Sequence, residues 1–144
     1  MDPRGFAPIA NRISAAVTLA AAAAIAALEL RTRRLDPLRA ACGLVCIFFA
    51  ANKVYSPQYW LWVAALIALA SAPAWLATAV SAVAFADFVV SFSFLHLQSD
   101  RVWPQVNWFA RAVFWPMVSL RYAALLACAV WAFARSLRRE RVEV

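Results

Sequence analysis

Long apolar runs separated by short polar turns organise the chain, and no segment alternates apolar and polar positions with the period of two that marks a strand. The first run covers 13–30, almost entirely Ala, Val, Leu and Ile, and is closed by Glu29 and the basic turn Arg31, Arg33 and Arg34. Two further runs follow at 38–51 and 59–72, on either side of the polar turn 52–58. Pro73 breaks the chain before a run at 74–97, which carries Asp87 within it and His96 near its end. The stretch 102–116 is different, mixing Trp103, Trp108, Phe109, Phe114 and Trp115 with Gln105, Asn107 and Arg111 between Pro104 and Pro116. It reads as an aromatic-rich segment lying along a membrane interface. A last apolar run covers 117–134, with Arg121 about one turn inside its start.

A helix crosses a bilayer core with roughly 20 apolar residues, because backbone polar groups in lipid must be satisfied within the segment. The pattern therefore predicts an all-α fold: a polytopic membrane helical bundle of about five transmembrane helices plus the interfacial segment, in a single membrane domain over 1–144. The runs 38–51 and 59–72 are short, each covering roughly 20 Å of a hydrocarbon core about 30 Å thick. Two short helices flanking a polar turn predict that the turn dips below the membrane surface into a protein-lined or wet cavity. The plainer alternative is local bilayer thinning, with Lys53 snorkelling to the surface.

Composition fits this class: 66% of residues are hydrophobic and 15% charged, too few polar groups to cover a water-soluble fold. The net charge of +7 falls on the turns and on the tail Arg135, Arg138, Arg139 and Arg141, where it reports membrane flanks rather than nucleic-acid binding. Arg4 and Arg12 ahead of the first run resemble the start of a signal peptide, but Arg31, Arg33, Arg34 and Arg39 beyond it resist translocation and predict a retained span. Across five spans, one side collects those four arginines and the four of the tail, whereas the other collects Arg4, Arg12, Lys53, Arg101 and Arg111. The positive-inside rule then places the C-terminus in the cytoplasm and the 52–58 turn on the outer face.

Several residues within the spans invite a chemical reading. Asp87 is costly in lipid by about 2.5 to 3.5 kcal/mol, so it is expected to face the bundle interior and to find a partner, for which Arg121 is the candidate. A structural ion pair is the first reading and a proton relay the second; Arg121 is alternatively placed to join Lys53 around a lipid phosphate. His96, beside Gln98, reads as an interfacial polar residue. Cys42, Cys46 and Cys128 all lie in apolar runs without a His or acidic companion at metal spacing, and read as small buried hydrophobes. No metal and no cofactor is expected.

The turn carries the densest polar chemistry. Lys53 supplies charge, Asn52, Ser56 and Gln58 supply hydrogen bonds, Tyr55 adds a phenol, and Tyr59, Trp60 and Trp62 are suited to line a sugar or a lipid chain. Pro57 suits the first position of the following helix, whose free N–H groups and positive dipole end favour an anion.

The stretch Asn52-Lys53-Val54-Tyr55-Ser56-Pro57-Gln58-Tyr59-Trp60-Leu61-Trp62 resembles a motif in the late transmembrane part of bacterial GT-C glycosyltransferases, specifically glycosyltransferase family 87. Leu120-Arg121-Tyr122, the Leu/Ala-rich span after it and the basic tail are similar to that family's C-terminus. The resemblance covers the chain from about Arg12 onward and matches only the last third of a family member. It implies a bacterial inner-membrane, mannosyltransferase-like enzyme using a polyprenyl-phosphate sugar donor, with Lys53, Asn52, Tyr55, Ser56, Gln58, Tyr59 and Arg121 as substrate-binding residues. The catalytic acid of such enzymes lies in a first extracytoplasmic loop, which this sequence lacks, since Asp2 and Asp100 are the only carboxylate side chains assigned outside. The expectation is therefore a C-terminal membrane portion contributing the lipid-phosphate donor side of a site completed elsewhere, as a fragment of a larger GT-C transmembrane domain, as a split-gene half whose N-terminal half is a separate chain, or as a degenerate relative, with the catalytic residue unknown. The alternatives are a non-enzymatic membrane subunit or small transporter built around Asp87 and Arg121, and a structural remnant without activity.

Overall fold

The structure, a computed structural model, describes residues 3–32, 35–51, 59–99 and 103–137. Within them the chain is all-helical: α1 (Pro3–Thr32), α2 (Pro37–Ala51), α3 (Tyr59–Leu69), α4 (Ala74–Ser99), α5 (Trp103–Phe109), a π-turn (Ala110–Phe114) and α6 (Trp115–Leu137). Three helical stretches, Asn11–Arg31, Ala74–Ser99 and Pro104–Ser136, are long and apolar enough to cross a membrane. The helices α2 and α3, at 15 and 11 residues, reach only about 22 Å and 16 Å, so the two runs expected to be short are short, and the other apolar helices supply the three long ones.

The bundle exposes large apolar side chains as freely as it buries them. Trp60, Ile67 and Leu125 are buried together with Asp87, Arg121 and Ser136, whereas Leu61, Trp62, Trp75, Phe85 and Val130 stand outward. Large apolar groups outside are what lipid tolerates, because lipid tails solvate Leu and Phe as well as a protein core does. The chain is thus a helical bundle with the surface of a multi-span membrane protein.

Helix α2 packs on α1, α3 and α6, and α1 contacts only α2, while α6 packs on both α2 and α4. The buried α6 positions Val118, Arg121, Leu125, Cys128, Ala132 and Ser136 recur at the helical period and form one stripe. The α2–α6 approach is close because Gly43 faces the Phe133 ring, which would lie 2.6 Å from a Cβ at position 43. Small residues at such a seam let two helices exchange more van der Waals contact.

One end of the bundle is tied together by short polar bonds. Asp36 caps α2, accepting from the N–H groups of Leu38 and Arg39, with Pro37 in the first turn where no N–H is needed. The Ser136 hydroxyl accepts from the Asp36 N–H at 2.8 Å and donates back to its carbonyl at 3.3 Å. Arg39 donates to the carbonyls of Ala70 and Arg135, so one guanidinium neutralises the C-terminal ends of both α3 and α6. Helix α3 stops there in a Schellman motif: the N–H of Ala72 bonds to Ile67 and that of Ser71 to Ala68, with Ser71 at φ 54° and Pro73 following.

The segment 102–116, expected to lie apart from the last span, is not separated from it. From Trp103 to Leu137 the chain is helical throughout, and the backbone at Phe109 and Trp115 is right-handed helical on both sides of the π-turn. Pro104 falls in the first turn, where its missing N–H costs nothing. Ahead of Pro116 the helix widens, with Trp115 N–H bonded five residues back to Ala110, which loosens the turn that a proline ring would otherwise crowd. Helices α2 and α4 keep close to the expected bounds, α4 running two residues further, to Ser99, whereas α1 starts at Pro3, ten residues ahead of the expected 13, and α3 stops at Leu69, three short of the expected 72.

Candidate functional site

Three helices bring one residue each to a buried polar centre. Asp87, 1% exposed on α4, accepts from Arg121 Nη1 at 3.3 Å through Oδ1 and from Trp60 Nε1 at 3.0 Å through Oδ2. Arg121, 7% exposed on α6, also lies with its Cζ 5.3 Å from the Tyr122 ring centroid. Burying a carboxylate without partners costs several kcal/mol, so an opposite charge and a second donor are what make this position tenable. The expected partnership of Asp87 with Arg121 is therefore present. Trp60, which the sequence placed among aromatics lining a ligand, instead directs its indole N–H into the core.

The centre's depth follows from the helices that hold it. Measured along α6, Arg121 lies about 21 Å from Arg135, at about 1.5 Å per residue. Phe94 stacks on Phe114 at 4.2 Å, fixing α4 against α6 two turns above the Asp87–Arg121 pair. Trp60 is only the second residue of α3, and it already meets Asp87 at mid-helix. The short α2–α3 pair thus stops well below the level to which α4 and the α5–α6 rod extend. Phe49 near the end of α2 stacks on Tyr59 at the start of α3, with ring centroids 4.7 Å apart and planes 3° from parallel. The stack holds the end of α2 to the start of α3, and the indole bond holds α3 to α4.

Of the residues the sequence singled out, Asn52, Lys53, Tyr55, Ser56 and Gln58 lie outside the described residues. Tyr59 is at the base of the connection, its ring against Phe49, and Arg121 is in the core on Asp87. His96 is at the exposed end of α4, where its carbonyl accepts from the Ser99 hydroxyl. Cys42, Cys46 and Cys128 are fully buried free thiols, the first two one turn apart on α2 and the third on α6, and all three belong to one apolar core cluster. Among the described residues no group of three or more His, Cys, Asp or Glu is arranged to hold a metal ion.

Sequence reasoning missed Trp60. The available signal was general: an indole N–H in a buried position needs an acceptor, and Asp87 was the one intramembrane carboxylate in need of donors. A second polar feature, a concavity of about 530 Å³ lined by Asn107, Trp108, Arg111 and Ala112, lies on the α5–π segment.

No protein family, no curated protein and no solved structure matches the chain.

Proposed function

We propose that the chain is the membrane portion of a polyprenyl-phosphate-sugar-dependent glycosyltransferase of the GT-C type, mannosyltransferase-like, in which the α2–α3 connection holds the donor phosphate. On this reading all five apolar helices sit in a bacterial inner membrane, α2 and α3 as a short pair, with the C-terminus cytoplasmic. Lys53 supplies the charge for the phosphate, while Asn52, Tyr55, Ser56 and Gln58 supply hydrogen bonds. Arg121 adds positive potential from below while Asp87 keeps it in place.

The observation that carries the reading is the anchoring of the connection. Phe49 near the end of α2 stacks on Tyr59 at the start of α3, and Trp60 bonds to the buried Asp87, so the two short helices on either side of the lysine-bearing stretch 52–58 are held together where it joins them. A polar segment between short helices is tolerated in a membrane where it lines a cavity, and transporters use such interruptions to bind substrate. Helix α3 also begins within reach of the turn, offering its N-terminal dipole to an anion.

The test is binding of polyprenyl-phosphate-mannose to the full chain in nanodiscs, followed by native mass spectrometry. Lys53→Ala should abolish binding, and Trp60→Phe should weaken it by loosening the α3 end of the connection. Unchanged binding in Lys53→Ala would sink the donor-site assignment. A second reading, a non-enzymatic membrane subunit, is favoured by one observation: the Asp87–Arg121 pair is fully enclosed and positioned as a staple between α4 and α6. It predicts no donor binding by the wild-type chain.

A further inference from the structure

We infer that the face of the α5–π segment carrying Asn107, Trp108 and Arg111 is a binding site for the phosphate of an anionic membrane lipid, separate from the α2–α3 connection.

Register comes first. In an α-helix, positions 109 and 114 differ by about 140° around the axis and cannot both face one neighbour. The π-turn over Ala110–Phe114 adds a residue to the turn, and Phe109 and Phe114 both meet Phe94 of α4, with centroids 6.5 Å and 4.2 Å away. That clamp fixes the rotation of the rod and leaves Asn107, Trp108 and Arg111 exposed, with Trp108 65% accessible. Asn107 and Arg111 are one helical turn apart, so their side chains share a face, and Ala112 is too small to fill the space between them. The result is the concavity of about 530 Å³.

Depth comes second. The basic end of the bundle is fixed by Arg39, Asp36 and Ser136 around the carbonyl of Arg135. A hydrocarbon core about 30 Å thick measured upward from Arg135 ends near Trp115, and Arg111 lies about 36 Å away, one turn beyond that boundary. A tilt of about 20° shortens these lengths by only a few per cent. Headgroup phosphates occupy the layer just outside the core, and Trp108 and Trp115, both exposed, stand where aromatic belts form.

Chemistry comes third. A guanidinium, an amide and an indole N–H supply donors, and no carboxylate lines the concavity among the described residues. An arginine fork suits a phosphate through paired hydrogen bonds, and the indole covers the glycerol and upper acyl carbons. A neutral zwitterionic headgroup would place its own cation against Arg111, which selects for an anionic lipid.

The test uses the full chain in nanodiscs of phosphatidylcholine with and without phosphatidylglycerol, with retained lipid counted by native mass spectrometry and helicity followed by circular dichroism. Wild type should retain phosphatidylglycerol in preference to phosphatidylcholine, and Arg111→Gln should lose about ten-fold in that affinity, about 1.4 kcal/mol. Arg111→Lys should recover part of it, and Asn107→Ala, an exposed change that leaves the charge in place, should lose a smaller share. Arg135→Gln, at the opposite end, should leave this preference within about two-fold of wild type, less than the ten-fold that corresponds to about 1.4 kcal/mol. Equal retention of both lipids by wild type, or full retention by a helical Arg111→Gln, overturns the proposal. So does displacement of the lipid by inorganic phosphate at millimolar concentration, which would assign the site to a free phosphate.

Discussion

Asp87 accepts one hydrogen bond through each carboxylate oxygen, and the two donors come from helices separated by 27 and 34 residues in sequence. This gives three side chains unequal weights. Removing the carboxylate takes from buried Arg121 the opposite charge it is paired with, and breaking a buried pair in this way costs about 3–5 kcal/mol. Removing only the indole donor costs the contribution of one hydrogen bond to a charged group, about 1.5–3 kcal/mol. Values should fall toward the lower end, because a chain unfolded within a membrane re-pairs its polar groups. Asp87→Ala is therefore expected to lower the thermal midpoint in detergent more than Trp60→Phe. The double variant Asp87→Ala/Trp60→Phe should be little worse than Asp87→Ala alone, a coupling that a double-mutant cycle reads directly. Additive losses would mean that Trp60 stabilises the fold by packing and not through Asp87. The sequence made the Asp87–Arg121 pairing legible, since a lone intramembrane acid demands a cation. It could not reveal the indole, because Trp60 also fits a lipid-facing or ligand-lining position.

Among the helices, the C-terminus of α3 shows a residue held against its preference. Ser71 occupies the left-handed region at φ 54°, where a side chain costs about 1–2 kcal/mol relative to glycine. Ser71→Gly should stabilise the protein by about 1 kcal/mol, seen as a higher thermal midpoint with unchanged helicity. A lower midpoint would show that the Ser71 side chain contributes more than its backbone strain. The hydrophobic pattern located the apolar body of each of these helices, although α1 starts ten residues ahead of its run, at Pro3, and Pro73 marked the start of α4. It did not foresee the join at Pro116. A proline normally argues for a boundary, and only the wider π-turn before it, with Phe109 and Phe114 held on Phe94, keeps the rod continuous.

Across the whole molecule, the polar ties put the starts of α2 and α4 and the ends of α3 and α6 at one end, which leaves the far end of α4 at the other. That arrangement predicts sidedness without reference to charge counting. In sealed vesicles, a membrane-impermeant maleimide should label Ser71→Cys from one side and Ser99→Cys only from the other; labelling of both from the same side would refute the through-membrane course of α4. The buried native thiols Cys42, Cys46 and Cys128 should stay silent in this assay.

The division between sequence and structure follows from the range of the forces involved. Local ones, the need of lipid-exposed backbone to bond within its own segment and the charge of the arginine-rich turns, are written in the order of residues. They determined an all-helical membrane bundle, its turns, and an intramembrane acid in need of a cation. Which faces meet depends on the rotation and height of helices far apart in sequence. That Trp60 completes the Asp87 centre, that Cys42 and Cys46 of α2 share one core with Cys128 of α6, and that Asn107, Trp108 and Arg111 turn outward together were decided only when α2, α3, α4 and α6 packed together.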